Sequence, residues 1–296
     1  MAFGLTRRKA ALLLFYGAPI LMLHCWDFVS QQMEAADSQW GRDIDVYELF
    51  SGCGELGNQC RAAGLNVRKS DISKGLHHDI TSSEGFLLSL KNVLRVRYGG
   101  LLWCGVPCNS WVWMASSTTK RTTVSYGIMG NEAVPSVAAG NCIAARVALL
   151  CMVAIVRGIF WCAEQPGTSC LKDCPYISHV LTSMGPHFFR RMWMGNFDHW
   201  ASKPSQLWGS WPDVESFSTR LSRAIQKRLQ ESSKGMYIRK RLPDGRVHVT
   251  GGKRLRSSGA YTAGFGKHVA KLLLKRKLQA SWLIIPVSVS GSPHNL

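Results

Sequence analysis

Ile44-Asp45-Val46-Tyr47-Glu48-Leu49-Phe50-Ser51-Gly52-Cys53-Gly54-Glu55 is the stretch on which the fold turns. Residues 44–50 form a short, largely apolar run and read as a buried strand. Ser51-Gly52-Cys53-Gly54 then makes a tight turn, with glycines that let the backbone bend and let a ligand come close. Residues 55–63 read as a helix stopped by Gly64, and 65–70 as a second strand ending at Asp71. Working outward, 86–96 has helical periodicity, and 101–106 is an apolar strand terminated by Pro107. Residues 135–157 form a long apolar helix, and 159–163 a short strand stopped by Pro166. This alternation predicts an α/β fold, a doubly wound and mainly parallel sheet with helices on both faces. Ligands bind such sheets at the carboxyl ends of the strands. Here those ends carry Gly52, Gly54, Asp71, Pro107, Cys108 and Glu164.

The chain has 296 residues and a formal charge of +18, from 36 Lys and Arg against 18 Asp and Glu. Such an excess favours a polyanionic partner, nucleic acid first and an anionic membrane surface second. The charge is concentrated: from Arg220 to Lys277 there are 17 Lys or Arg against Glu231 and Asp244. Within that third, 236–242 and 246–250 flank the turn signal Pro243-Asp244-Gly245 and predict a basic hairpin. Arg239 and Arg241 would share one face and Lys240 the other. Residues 266–279 read as a closing helix. The ten cysteines are irregularly spaced and several lie in apolar runs, the pattern of reduced thiols in a nuclear or cytoplasmic compartment. Cys170-x3-Cys174 lacks a second matched pair, so no metal site is expected. At the start, Thr6-Arg7-Arg8-Lys9 and the apolar run 10–26 resemble a signal or anchor. Gly17, Pro19 and His24 interrupt that run, so a packed helix or loose leader stays open. Any membrane association would run through residues 10–26.

Four positions at the predicted strand ends suggest chemistry. An acid at Asp71, about 20 residues beyond the glycine turn, suits ribose hydroxyls, while a helix cap is its plainer role. Pro107 stops a strand and presents Cys108, whose thiolate would be a nucleophile. A buried structural thiol is the alternative. Glu164 ends the apolar run Phe160-Trp161-Cys162-Ala163, where a carboxyl is suited to act as an acid. The segment after Cys108, with Trp111, Trp113 and Ser116 to Thr119, reads as a mobile lid or as an ordinary surface loop.

Together, Asp45 to Gly54, Asp71, Asp79-Ile80, Pro107-Cys108 and Glu164-Gln165-Pro166 resemble the DNA cytosine-5 methyltransferases, in matching order, over roughly residues 44–210. Lys203-Pro204-Ser205-Gln206-Leu207-Trp208 is similar to a segment of divergent, phage-type members. Gly264-Phe265-Gly266 with Val269-Ala270 is similar to the family's closing segment, which returns to the cofactor site. The chain departs from the pattern at Gln165, where the family has Asn, and has no Gln-x-Arg-x-Arg segment, Arg190-Arg191 lying in about that region.

The resemblance implies a Rossmann-like, S-adenosylmethionine-dependent methyltransferase fold with a small basic C-terminal subregion. It divides the chain into a leader and linker (1–43), a catalytic core (44–210), a short target-recognition-like region (211–259), a closing helix (260–281) and a tail (282–296). Phe50, Ser51, Gly52, Gly54, Ile72, Ile80 and Pro107 would line S-adenosylmethionine, with Asp71 on its ribose and Asp79 near its adenine. Cys108 would attack C6 of cytosine and Glu164 would assist at N3. The target base would be flipped out or single-stranded. Arg239, Lys240, Arg241, Arg246, Lys253 and Arg254 would hold the phosphates of DNA. Two alternatives stand beside this: the same chemistry on RNA, and a silent relative that binds nucleic acid without catalysis.

Overall fold

The structure, a computed structural model, describes residues 41–281 apart from 235, 246 and 252. The apolar run 10–26 and the tail 282–296 lie outside the described residues. The molecule is α/β, built on one mixed, mainly parallel sheet of six strands. The strands are β1 (Ile44–Leu49), β2 (Val67–Ser70), β3 (Val96–Cys104), β4 (Phe160–Pro166), β5 (Phe188–Trp193) and β6 (Pro204–Gly209). Their order across the sheet is β2-β1-β3-β4-β6-β5. β2, β1, β3 and β4 run parallel, and β6 is reversed between β4 and β5.

Seven α-helices are described: α1 (Glu55–Ala62), α2 (Ser83–Leu94), α3 (Ser116–Thr119), α4 (Pro135–Val156), α5 (Pro175–Ser183), α6 (Arg223–Ser232) and α7 (Ala263–Ser281). The two sheet faces are covered by different helices because side chains alternate along each strand. On one face Tyr47, Leu49, Leu102, Cys104 and Ala163 pack with Phe86 of α2, Ala148 of α4 and Val180 of α5. On the other, Val46, Leu101, Trp103 and Cys162 pack with Leu56 of α1 and Phe265 and Val269 of α7. The central strands are therefore mostly apolar where both faces are covered, as in Leu101–Cys104 of β3 and Trp161–Ala163 of β4. α4 is long and apolar enough to cross a membrane, but 61% of its apolar window is buried within the protein. Its mild amphipathicity follows from that position, with the sheet on one side and α2 and α5 on others.

The expected strands and helices up to β4 are present, with shifted ends. Val96 belongs to β3 rather than to the preceding helix. The hairpin β5–β6, together with α5 and α6, extends the expected set. β5 is half exposed and β6 reads Pro-Ser-Gln-Leu-Trp-Gly, so neither carries clean period-two alternation. The basic hairpin is present as β7 (Tyr237–Arg241) and β8 (Val247–Gly251), paired with each other and with no other strand among the described residues. Its turn is closed by the Gly245 N–H donating to the Leu242 carbonyl at 2.9 Å, with Gly245 at φ 81°.

Candidate functional site

The register of the parallel strands brings the site together. Leu49 is level with Ser70 on one side and with Cys104 on the other, and Cys104 is level with Ala163. One residue further on, Phe50, Asp71, Gly105 and Glu164 stand abreast at the carboxyl ends. The chain leaves β1 for β2 on one side and takes β3 on the other. In open α/β sheets ligands bind in a crevice at such a switch point, which here lies at the ends of β1 and β3.

The glycine turn lies at that switch point. Phe50 takes φ 60°, rare outside glycine, and Gly52 and Gly54 follow at φ 51° and 74°. Gly52 faces open space. Gly54 and Gly57 are needed for a different reason, because a Cβ at either would meet Lys69 or Glu48 at 2.6–2.7 Å. Glu48 is fully buried under the turn, and its Oε2 accepts the Gly57 N–H at 2.9 Å. Burial lifts its carboxyl to about 7, against the opposing pull of the Gly57 hydrogen bond and the Lys69 and Lys74 charges. Its other oxygen, Oε1, is buried without a partner among the described residues, as is Ser51 Oγ.

Asp71 takes the plainer of the two roles weighed for it, a turn cap, and ties down the glycine turn as well. One oxygen accepts the Ser73 N–H at 2.9 Å and caps the turn Ile72–Lys74, while the other accepts the Gly52 N–H at 2.8 Å. Burial pushes this carboxyl up, but the bonds from Ser73 and Gly52 and the Lys74 charge outweigh it and hold it below its ordinary value. Beside it, the Ile72 side chain is 58% exposed. Asp79 turns inward on its own loop, where Oδ1 accepts the Thr81 N–H and O–H, both at 2.8 Å. The Ile80 expectation is corrected: its side chain is 2% exposed and belongs to the core, and its carbonyl is taken by Arg146.

Cys108 is half-buried and Pro107 exposed, on a turn where the Cys108 carbonyl accepts the Trp111 and Val112 N–H groups. Burial pushes the Cys108 thiol up, and the nearby Glu164 charge adds to this; the Lys203 ammonium opposes both. Glu164 is buried in β4. Its Oε2 accepts the Tyr261 hydroxyl at 3.3 Å, while Oε1 has no partner among the described residues. Gln165, which departs from the family pattern, ties the two halves together. Its Nε2 donates to the Val106 carbonyl at 2.5 Å, just before Pro107-Cys108, and its Oε1 accepts the Ser169 hydroxyl at 2.8 Å.

The segment after Cys108 is pinned to the core. It holds a short turn (Trp113–Ala115) and α3, anchored by Arg121, which is 2% exposed. The Arg121 guanidinium lies 3.4 Å from the centroid of Trp111 and donates to Ser110, Ile128, Met129 and Val137. Above that anchor, Trp113, Val124 and Tyr126 are exposed.

The basic candidates lie on the hairpin and on the segment that follows it. Arg239, Lys240 and Arg241 are exposed on β7. Arg254 is exposed but leans on Trp200, 4.6 Å from its ring, and donates to the Lys234 carbonyl. Arg246 and the Lys253 side chain lie outside what is described. Reading the sequence missed Glu48, Tyr261 and Lys203 as members of the site. Glu48 gives one signal, an acid between Tyr47 and Leu49 near the end of a buried strand. Tyr261 and Lys203 give none, because each reaches the site from a distant segment. No protein-family model matches the chain, and no curated protein matches its sequence.

Proposed function

We propose that the chain is an S-adenosylmethionine-dependent methyltransferase of the cytosine-C5 type acting on DNA, on a Rossmann-like core. The observation that carries this is the Gln165–Val106 hydrogen bond, which fastens the Glu164 end of β4 to the Pro107-Cys108 turn beside a glycine turn tied to Asp71, at the switch point of a mainly parallel sheet. The residues fit the cofactor. Each Asp71 oxygen accepts a single backbone N–H and keeps capacity for a ribose hydroxyl. Exposed Ile72 offers an apolar face for adenine, and Gly52 leaves open space.

S-adenosylmethionine, when bound, supplies an electrophilic methyl group. The protein's part is to make C5 of cytosine a nucleophile. The Cys108 thiolate adds to C6, and Glu164 meets N3, so that the electron pair of the C5–C6 double bond is delivered at C5. After methylation a base removes the C5 proton, the double bond re-forms and the thiolate leaves. Burial and Glu164 hold the resting Cys108 as a thiol. Ionisation therefore needs a bound substrate or the Lys203 charge to offset them. The base must leave its stack to reach so enclosed a carboxyl, and exposed cations on the hairpin would hold the flanking phosphates.

The test is transfer of labelled methyl from S-adenosylmethionine to DNA and to RNA, with Cys108→Ser alongside. Labelling of DNA that the variant lacks supports the proposal. Labelling of RNA alone moves the chemistry to that substrate. Equal inertness of both proteins, with DNA binding intact, leaves a binding protein on this fold.

A further inference from the structure

We propose that Tyr261 is a positioning residue of this site, fixing the Glu164 carboxyl through Oε2 so that Oε1 is the oxygen presented to N3 of the bound base. This rests on the assignment of Cys108 and Glu164 to methyl transfer. Tyr261 lies at the start of the closing segment, 97 residues beyond Glu164 in the chain. Its oxygen accepts the Trp103 indole N–H at 3.1 Å, and its hydroxyl donates to Glu164 Oε2 at 3.3 Å. The direction of this chain is set by chemistry. An indole nitrogen only donates, so the phenol oxygen must accept from Trp103 and its own proton is left for Glu164.

The phenol is held from several sides. The Trp103 ring meets the Tyr261 ring edge-on at 6.0 Å, and Phe265 meets it at 5.2 Å. The Lys203 ammonium sits 5.6 Å from the ring centroid and donates to the Gly259 carbonyl. Residue 105 is glycine where a Cβ would stand 3.0 Å from the phenol oxygen. Trp103 is fully buried, so the relay starts from a fixed point in the sheet. With Oε2 held by Tyr261, the oxygen left without a partner among the described residues is the buried Oε1. An unmet buried carboxyl oxygen is costly, and a hydrogen bond shared with N3 of the base would relieve that cost. The segment after the basic hairpin thereby becomes part of the active site, and its docking on α1 acts on the chemistry.

The experiment uses the full chain, S-adenosylmethionine and a 5-fluorocytosine oligonucleotide, and follows formation of the covalent adduct. Cofactor affinity and melting temperature are measured on the same proteins. Tyr261→Phe removes one oxygen and keeps the ring. Adduct formation is expected to slow about 10- to 100-fold, the loss of one hydrogen bond to a charged group, with cofactor affinity and melting temperature unchanged. Trp103→Phe, which frees the phenol to turn, should slow it about 3- to 10-fold, and decides the matter if Tyr261→Phe does not fold. An adduct rate equal to wild type in a folded Tyr261→Phe protein overturns the positioning role. So does a slower rate matched by an equal loss of cofactor affinity or melting temperature, which is the mark of a merely structural tyrosine. If wild type forms no adduct and methylates neither DNA nor RNA, the methyltransferase assignment itself fails and the role of Tyr261 falls with it.

Discussion

The strand-end crevice and the basic hairpin are the two regions of this molecule that would meet a nucleic acid, and they are built in opposite ways. At the crevice, Glu48, Glu164, Gln165 and Arg121 are buried, and their partners are set by strand register and by backbone groups of neighbouring loops. On β7, Arg239, Lys240 and Arg241 stand exposed on a two-stranded ribbon that pairs with no other strand among the described residues. Burial makes each crevice contact expensive to lose and specific in direction. Exposed cations act through screened, long-range attraction, are nearly interchangeable, and cost little stability when removed.

The largest expected effect is at the nucleophile. Cys108→Ser should reduce methyl transfer by at least about 10³-fold, measured with labelled cofactor, while leaving DNA affinity in place. Retained activity would move the chemistry away from the crevice and dissolve the contrast. Next in size is the anchor of the segment after Cys108. Arg121→Met keeps the bulk but strands the carbonyls of Ser110, Ile128 and Met129, and should cost about 3–5 kcal/mol in denaturant unfolding.

Glu48 sharpens the contrast through pH. Its folded carboxyl is raised to about 7 from 4.5. The folded state therefore holds a proton that the unfolded chain releases. The stabilisation is complete below about pH 4.5 and is lost as pH rises through about 7, amounting to about 3 kcal/mol at most. Glu48→Gln, neutral throughout, should flatten the stability curve between pH 5 and 8 and be the more stable protein at the upper end. An unchanged slope would mean that another group governs it. The smallest stability effect belongs to the hairpin. Replacing Arg239, Lys240 and Arg241 by Gln should alter unfolding by less than about 0.5 kcal/mol while lowering the log–log salt slope of DNA binding by about 2 to 3. A large loss of stability with an unchanged slope would make the hairpin structural and take it off the nucleic acid.

How much was legible beforehand follows the same division. The strand, the glycine turn and α1 were readable from 44–63 because that sequence changes its period abruptly at two glycines. Cys108 and Glu164 were readable because each follows a short apolar run at a proline-marked stop. Ile80 was misplaced because an apolar residue after Asp79 serves core or ligand equally well until its neighbours are known. Gln165 looked like a lost motif residue, yet its longer amide spans β4 and the Val106 carbonyl.

By itself, then, the sequence determined the alternation of strands and helices, the glycine turn, the strand-end residues and the basic hairpin, because these depend on local pattern and on side-chain charge. Only the tertiary structure decided that Trp103, Tyr261 and Glu164 form a directed chain, that Lys203 joins them, and that Arg121 fastens the segment after Cys108. Those contacts join residues up to 158 positions apart. Strand order and helix docking set such distances, and no local pattern encodes them.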